Sequence, residues 1–166
     1  MQLGEVKVLY NYTYWATERL IEVAANLSAA QLNDEMLNGI GSIRVTLVHL
    51  LNGHWIWRER WQSNQPTIVL QPQDFPSLET IKVHWQEEKL LMSALLATLS
   101  EEDLERQIIY HSTMLPGQVF RLPLWQMLLH LVNHGTQHRG EIAMRLTELG
   151  HSPGELGMNF FFVTHP

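Results

Sequence analysis

The 166-residue sequence contains no cysteine. This absence excludes disulfide bonds, thiolate metal ligands and a cysteine nucleophile. Lys and Arg total only 11 residues against 17 Asp and Glu, and they form no cluster, so we expect no nucleic-acid partner. The apolar run at residues 90–99 is too short and too interrupted by polar residues to span a bilayer. We therefore expect no membrane partner either.

The N-terminal 25 residues lack the charged-then-apolar layout of a signal peptide, which predicts a soluble cytoplasmic protein. Hydrophobic residues make up 45 % of the chain, and its length is sufficient to bury a sizeable core. We therefore expect residues 1–166 to form a single domain.

The spacing of apolar residues predicts four long helices. The first covers residues 3–26. Its predicted inward face consists of Val8, Tyr12, Trp15, Leu20, Val23 and Leu27.

The other three helices are predicted at residues 43–62, 78–99 and 123–150. Ser42 and Ser77 are the expected N-caps of the first two. The last begins with a proline, whose missing N–H is harmless in a first turn, and ends at a glycine. All three predictions rest on residues that begin or stop helices, together with apolar periodicity.

The segment between the third and fourth helices contains two short apolar runs, Ile108–Tyr110 and Val119–Phe120. They flank Leu115–Gln118, which has Pro-Gly at its centre and is typical of a type II turn in a short hairpin. The helix count and the long second and third connections predict an all-α fold, a four-helix bundle with crossover connections.

Three histidines follow one another at four-residue steps in the last helix: His130, His134 and His138. At about 100° per residue, these steps place the imidazoles on one stripe of the helix. Two histidines four apart can direct ring nitrogens at one metal ion, and His134 and His138 are the better pair because Gly140 permits close approach. His49 could supply a third ligand from another helix. His130 would lie behind the ligands or in the core.

A single histidine on an apolar helix face is more often a core residue, so a His stripe buried without metal is the alternative interpretation. Gln137 and Glu141 share the stripe and could contact bound water, or could form a polar pair on the helix surface. His54 is rotated about 140° from His49 and is predicted to face solvent or an interface.

Trp55, Trp57 and Trp61 lie on more than one face of the second helix. Such a spread exceeds what one buried stripe can hold, and tryptophan is favoured at protein interfaces. The pattern predicts a homodimer joined through a helix face that includes Trp55 or Trp61. Partly exposed tryptophans in a monomer are the alternative.

The segment NHGTQHRGE at residues 133–141 resembles the DinB family, also known as DinB/YfiT-like metalloenzymes. The likeness covers nearly the whole chain. It extends to TLVHL at 46–50, to Trp57 and Arg60, to YNYTYWA at 10–16 and to LGHSP at 149–153.

The resemblance implies a four-helix bundle that binds one divalent metal through three histidines, here His49, His134 and His138. It also implies that homodimers are common. Members of known activity include thiol-dependent isomerases and transferases, while many members have no assigned reaction. Two departures from the family pattern concern the surroundings of the metal. This chain has Glu141 where the family often has Gln, and residues 156–160 offer no carboxylate where the family often has Asp.

We therefore expect a metal-dependent enzyme, a hydrolase or a thiol S-transferase, acting on a small-molecule substrate. Nickel and zinc are the leading metals because imidazole suits both. A low-molecular-weight thiol with carboxylates would need basic partners, for which Arg58, Arg60 and Arg139 are the candidates. The alternatives are a non-catalytic metal-binding stress-response module and a plain interaction protein. Three ligands would leave a metal with open positions, which argues against a structural site.

Overall fold

The computed structural model describes residues 1–37, 39–112, 115 and 117–165. Within these ranges the chain is mainly helical, and none of the described helices is long and apolar enough to cross a membrane. The helices are α1 (Leu3–Ala24), α2 (Ala29–Asn33), α3 (Ile43–Trp61), α4 (Leu78–Thr98), α5 (Leu124–Glu148) and α6 (Met158–Thr164), and the strands are β1 (Gln107–His111) and β2 (Val119–Pro123).

The four long helices form a four-helix bundle, as predicted. Around the bundle α1 packs against α5, α5 against α3, α3 against α4, and α4 against α1. The long helices α1 and α3, which follow one another in the chain apart from the short α2, therefore lie diagonally across the bundle, as do α4 and α5. These two connections are the crossovers, whereas the second connection, between α3 and α4, joins adjacent helices.

The predicted helix ends are largely confirmed by their caps. The Ser42 hydroxyl accepts a hydrogen bond from the Val45 amide, and Ser77 caps α4 in the same way. At the end of α5, Gly150 adopts φ +84° and the His151 amide donates to the Leu146 carbonyl at 2.8 Å, which is a Schellman ending. Pro123 was expected in the first turn of α5, but it is the N-cap and also ends β2.

The predicted hairpin is present. β1 and β2 pair antiparallel, with Gln107 opposite Pro123 and His111 opposite Val119. In the connecting turn, Gly117 adopts φ +84° and the Gln118 amide donates to the Leu115 carbonyl at 3.1 Å. The proline of the predicted Pro-Gly turn, at position 116, lies outside the described residues, as do positions 38, 113, 114 and 166.

The inward face predicted for α1 is partly wrong. Leu20 is fully buried in the bundle, but Val8 is 42 % exposed. Tyr12 is buried outside the main core, where its ring packs edge-on against Phe161 of α6. The helix α6 was not predicted; it has seven residues, and its Phe161 packs against Tyr12 and Trp15 of α1.

The tryptophans of α3 are accommodated differently from the prediction. Trp61 is only 1 % exposed, so it cannot form an interface with a second chain. Its carbonyl accepts a hydrogen bond from Arg106, just before the hairpin. Trp57 is half-buried against the Tyr110 ring of β1, and Trp55 is half-buried. The hairpin thus covers Trp57, a contact that the apolar periodicity of α3 did not predict.

Candidate metal centre

The candidate site lies between α3 and α5, and of the two glycines in this region only Gly135 affects side-chain packing. A Cβ on Gly53 would meet Leu131 Cδ1 at 3.5 Å and His134 Cε1 at 3.9 Å, which is ordinary contact. A Cβ on Gly135 would lie 2.8 Å from Arg139 Nη1, which is a clash. Because Gly135 has no side chain, the Arg139 guanidinium can lie close to the α5 backbone at this position.

His49 of α3 and His134 and His138 of α5 converge on one point. His134 Nε2 lies 3.0 Å from His49 Nε2 and 3.2 Å from His138 Nε2. One potential ligand atom from each residue lies within 4.8 Å of the others. Three nitrogens bound to one metal at about 2.0–2.1 Å would be about 2.8–3.4 Å apart in octahedral (cis) or tetrahedral geometry. The donor set and its spacing therefore fit a divalent metal ion.

Glu141 fixes the orientation of His138. The two residues are three apart on α5, and the Nδ1–H of His138 donates to Glu141 Oε2 at 2.7 Å. Because an ionised carboxylate only accepts hydrogen bonds, the proton of His138 belongs on Nδ1 and its Nε2 lone pair faces the other histidines. Gln137 donates to the other carboxylate oxygen at 3.2 Å. Sequence reasoning placed Glu141 near the site but missed this contact, although the i, i+3 spacing was a usable signal.

Replacing Glu141 by alanine is expected to lower metal affinity about 10- to 100-fold, because His138 loses the carboxylate that orients it. Glu141→Gln keeps an acceptor at the same place and should retain most of the affinity. Isothermal titration calorimetry with zinc measures both. The matched control is Glu148→Ala, on the same helix but bonded to Arg145. Wild-type affinity in Glu141→Ala would contradict the positioning role.

Electrostatics favour the neutral form of two of the three imidazoles. Burial lowers the pKa of His49 below its usual value, and the neighbouring His138 lowers it further. Burial, with the adjacent histidines, lowers the pKa of His134 to about 4. Both rings are therefore neutral at pH 7, with lone pairs available to a cation.

His130 and Gly140, two further residues of α5 named in the prediction, lie at least in part differently from what was expected. His130 is exposed, so of its two predicted placements the core is wrong. Its ring stacks on His134 at 5.9 Å between centroids, which agrees with the predicted placement behind the ligands, and it meets Trp57 edge-on. A Cβ at Gly140 would find no neighbour within 4 Å among the residues that the structure describes. The close approach expected at Gly140 occurs at Gly135 instead.

His54 was predicted to face solvent or an interface, and this is wrong. It is 1 % exposed, and its ring lies against Tyr14 and Trp85, with centroids 5.4 Å and 5.0 Å away. Its Nδ1 lies 3.4 Å from the Tyr14 hydroxyl, a long hydrogen bond. The prediction failed because α3 contacts both α4 and α5, so more than one of its faces is buried.

Arg139 is a buried cation close to the candidate site. It is 3 % exposed, its Nη2 donates to Thr136 Oγ1 at 2.8 Å, and its guanidinium lies over the Tyr12 ring. Its Nη1 has no hydrogen-bond partner within the described part of the chain. Burial lowers its pKa, although a guanidinium remains charged at neutral pH.

A four-helix bundle with three histidines converging between two facing helices defines a class of helical proteins with a potential metal centre. The chain belongs to the DinB family, whose model matches residues 1–162. The predicted family membership is therefore confirmed, and the match includes all three histidines.

Individual relatives agree with this assignment. Protein DinB of Bacillus subtilis (strain 168) is 23 % identical over 162 residues, which cover 93 % of each chain. A DinB-like protein from Bacillus cereus has a similar crystal structure, with a TM-score of 0.66 and 18 % identity over 89 % of this chain and 94 % of that one.

YfiT from Bacillus subtilis is similar in structure at a TM-score of 0.67, with 15 % identity over 92 % of this chain and 91 % of YfiT. YfiT is described as a probable metal-dependent hydrolase with an unusual four-helix bundle topology. At these identities the solved structures show the shared fold.

Proposed function

We propose that this chain is a metal-dependent hydrolase acting on a small molecule, with one divalent ion held by His49, His134 and His138. The observation that carries the proposal is the convergence of three Nε2 atoms, two of the contacts being 3.0 and 3.2 Å. The description of YfiT as a probable metal-dependent hydrolase supports the same reaction class.

A divalent ion with three protein ligands would polarise a substrate carbonyl and activate water at its open positions. The protein residues have distinct parts in this proposal. His49 and His134 offer neutral nitrogens at pH 7, and Glu141 holds the proton of His138 on the nitrogen that faces away from the ion. The Glu141 carboxylate is itself oriented by Gln137.

Transfer of a low-molecular-weight thiol is the alternative to hydrolysis. The positions of the three candidate arginines argue against it. The Arg58 guanidinium makes a two-pronged ion pair with Glu88, at 2.8 and 2.9 Å. Arg60 lies over the Trp57 ring, and Arg139 is buried. None of these three, the basic partners suggested for a carboxylate-bearing thiol, presents an exposed and unengaged guanidinium.

The proposal is tested with protein purified without a His-tag and without chelators. We expect about one equivalent of nickel or zinc per chain by elemental analysis. We also expect hydrolysis of at least one compound in a panel of small esters and amides, lost on chelator treatment and restored by metal. Metal binding with turnover only in the presence of a low-molecular-weight thiol would favour the S-transferase. Metal binding with no turnover in either panel would favour the non-catalytic module.

We also propose a homodimer joined through the side of α3 that carries Trp55. Trp61 is excluded from the interface because it is buried. Trp55 and the exposed Leu91 of α4 line the same surface depression, in which they offer apolar surface. Beside them in the depression lie the charged side chains of Arg58, Glu87 and Glu88. Light scattering at micromolar concentration is expected to give twice the chain mass, and Trp55→Glu to give the monomer mass. A wild-type monomer under these conditions would contradict the proposal.

A further inference from the structure

A cavity of about 230 Å³ lies beside α3, and His49 of the histidine cluster forms part of its wall. Its lining includes the apolar side chains of Val45, Val48 and Leu70, together with Asn52. No Asp, Glu, Lys or Arg is among the described residues that line it. Because His49 belongs to both the cavity and the cluster, a substituent of a group held at the cluster would be within reach of this space.

The outer wall of the cavity is fastened to α3 by hydrogen bonds. The Leu70 amide donates to Asn52 Oδ1 at 2.8 Å. Arg44 Nη1 donates to the Pro72 carbonyl at 2.6 Å and to the Phe75 carbonyl at 3.2 Å. These contacts hold the connection between α3 and α4 in place, so the cavity exists before a substrate arrives. A cavity formed in advance is characteristic of small-molecule sites.

We propose that this cavity binds a small, uncharged, apolar group of the substrate, an alkyl or aryl substituent next to the bond that is hydrolysed. The inference rests on the proposed function, since it assumes that the reacting group is held at the three histidines. The volume is below the roughly 300–1,000 Å³ of pockets for drug-sized ligands, so only a small substituent fits.

The same lining rejects a negatively charged substituent. A carboxylate in the cavity would lose part of its hydration and gain no cationic partner among the described lining residues, which is unfavourable. A second cavity, of about 330 Å³, lies on the Glu141 side of the site and also carries Glu35, Asp34 and Glu148. Arg145 is the one cation among its described lining residues, and it is paired with Asp34 and Glu148. Neither cavity therefore suits an anionic substrate.

The experiment uses three hydroxamates, which chelate divalent metals and differ only in the attached group. Untagged protein is loaded with Co²⁺, and its visible spectrum reports first metal binding and then binding of each hydroxamate. Acetohydroxamate, butyrohydroxamate and succinic monohydroxamate present a methyl group, a propyl group and a two-carbon chain ending in a carboxylate. Each buried methylene tightens binding about fourfold, so butyrohydroxamate should bind about 15-fold more tightly than acetohydroxamate. Succinic monohydroxamate should bind more weakly than either.

Val45→Asp places a carboxylate in the cavity wall and is expected to reduce the 15-fold preference to less than about threefold. The variant should fold, because Val45 lies in the first turn of α3 and is only half-buried, and an acidic residue is favourable there. The matched control is Val83→Asp, the same change at an exposed position of α4, which should keep the full preference.

The outcomes separate the two proposals. If Co²⁺ binds but the three hydroxamates bind equally, or if Val45→Asp and Val83→Asp behave alike, the cavity is not the substituent site and only this inference is overturned. If no Co²⁺ binds to the wild-type protein, the proposed function fails and this inference fails with it.

Discussion

Replacing His138 by alanine is expected to lower metal affinity by more than about 100-fold, because the change removes a ligand and not merely a residue that orients one. At a metal concentration 100 times the dissociation constant, bound metal stabilises the wild-type fold by about 2.7 kcal/mol. This stabilisation should be absent from His138→Ala. Calorimetric titration measures the affinity, and thermal unfolding with and without metal measures the stabilisation.

The matched control is His130→Ala, on the same helix and stacked on His134 but exposed. It should bind metal with wild-type affinity. Circular dichroism of metal-free His138→Ala should show the helical content of the wild type, because removing one imidazole at the edge of the core leaves the bundle helices packed. Unchanged affinity in a folded His138→Ala protein would mean that the converging histidines are not the ligand set.

The metal-free protein is expected to become less stable as pH decreases, because His54 is buried in its neutral form. Burial holds the pKa of His54 at about 3, against an ordinary value of 6.5. Between these values the unfolded chain binds a proton that the folded protein does not. The part of the free energy of unfolding that depends on neutral His54 is therefore fully present above about pH 6.5, and it is lost progressively as pH falls toward 3. The contribution of His54 to this loss is about 2 kcal/mol at pH 5.

The measurement is guanidinium unfolding in the presence of a chelator at pH 7 and pH 5, for the wild type and for His54→Phe. His49 and His134 also have lowered pKa values, and their contribution is the same in both proteins. The loss between the two pH values should therefore be about 2 kcal/mol smaller in His54→Phe than in the wild type. His111→Phe, an exposed change on β1, should lose as much as the wild type. Equal losses in all three proteins would show that His54 is not held neutral by burial.

Local signals in the sequence were sufficient for the helices and for part of the site. Ser42, Ser77 and Gly150 mark helix ends because their capping bonds involve residues a few positions away. The four-residue step from His134 to His138 places both rings on one side of α5 whatever else the chain does. The choice of His49 as third partner came from the family resemblance, since spacing alone left it as one option.

Other positions depended on contacts that no local pattern encodes. His54 is buried because α4 and α1 bring Trp85 and Tyr14 against that side of α3. Trp61 is buried at the helix end that Arg106 contacts, whereas Val8 is left exposed on α1. Periodicity identifies an apolar stripe, but which stripe becomes buried is decided by the neighbouring elements.

The sequence by itself determined the long helices, their caps, the hairpin and the histidine pair on α5, because helix periodicity, capping and turn geometry act over a few residues. The tertiary structure alone decided that α1 lies diagonal to α3, that the third imidazole meets the pair, and that an apolar cavity adjoins His49. These features join residues distant in the chain; His49 and His134 are 85 positions apart. Their meeting is set by how whole helices pack, and packing sums many weak contacts that no single segment of sequence contains.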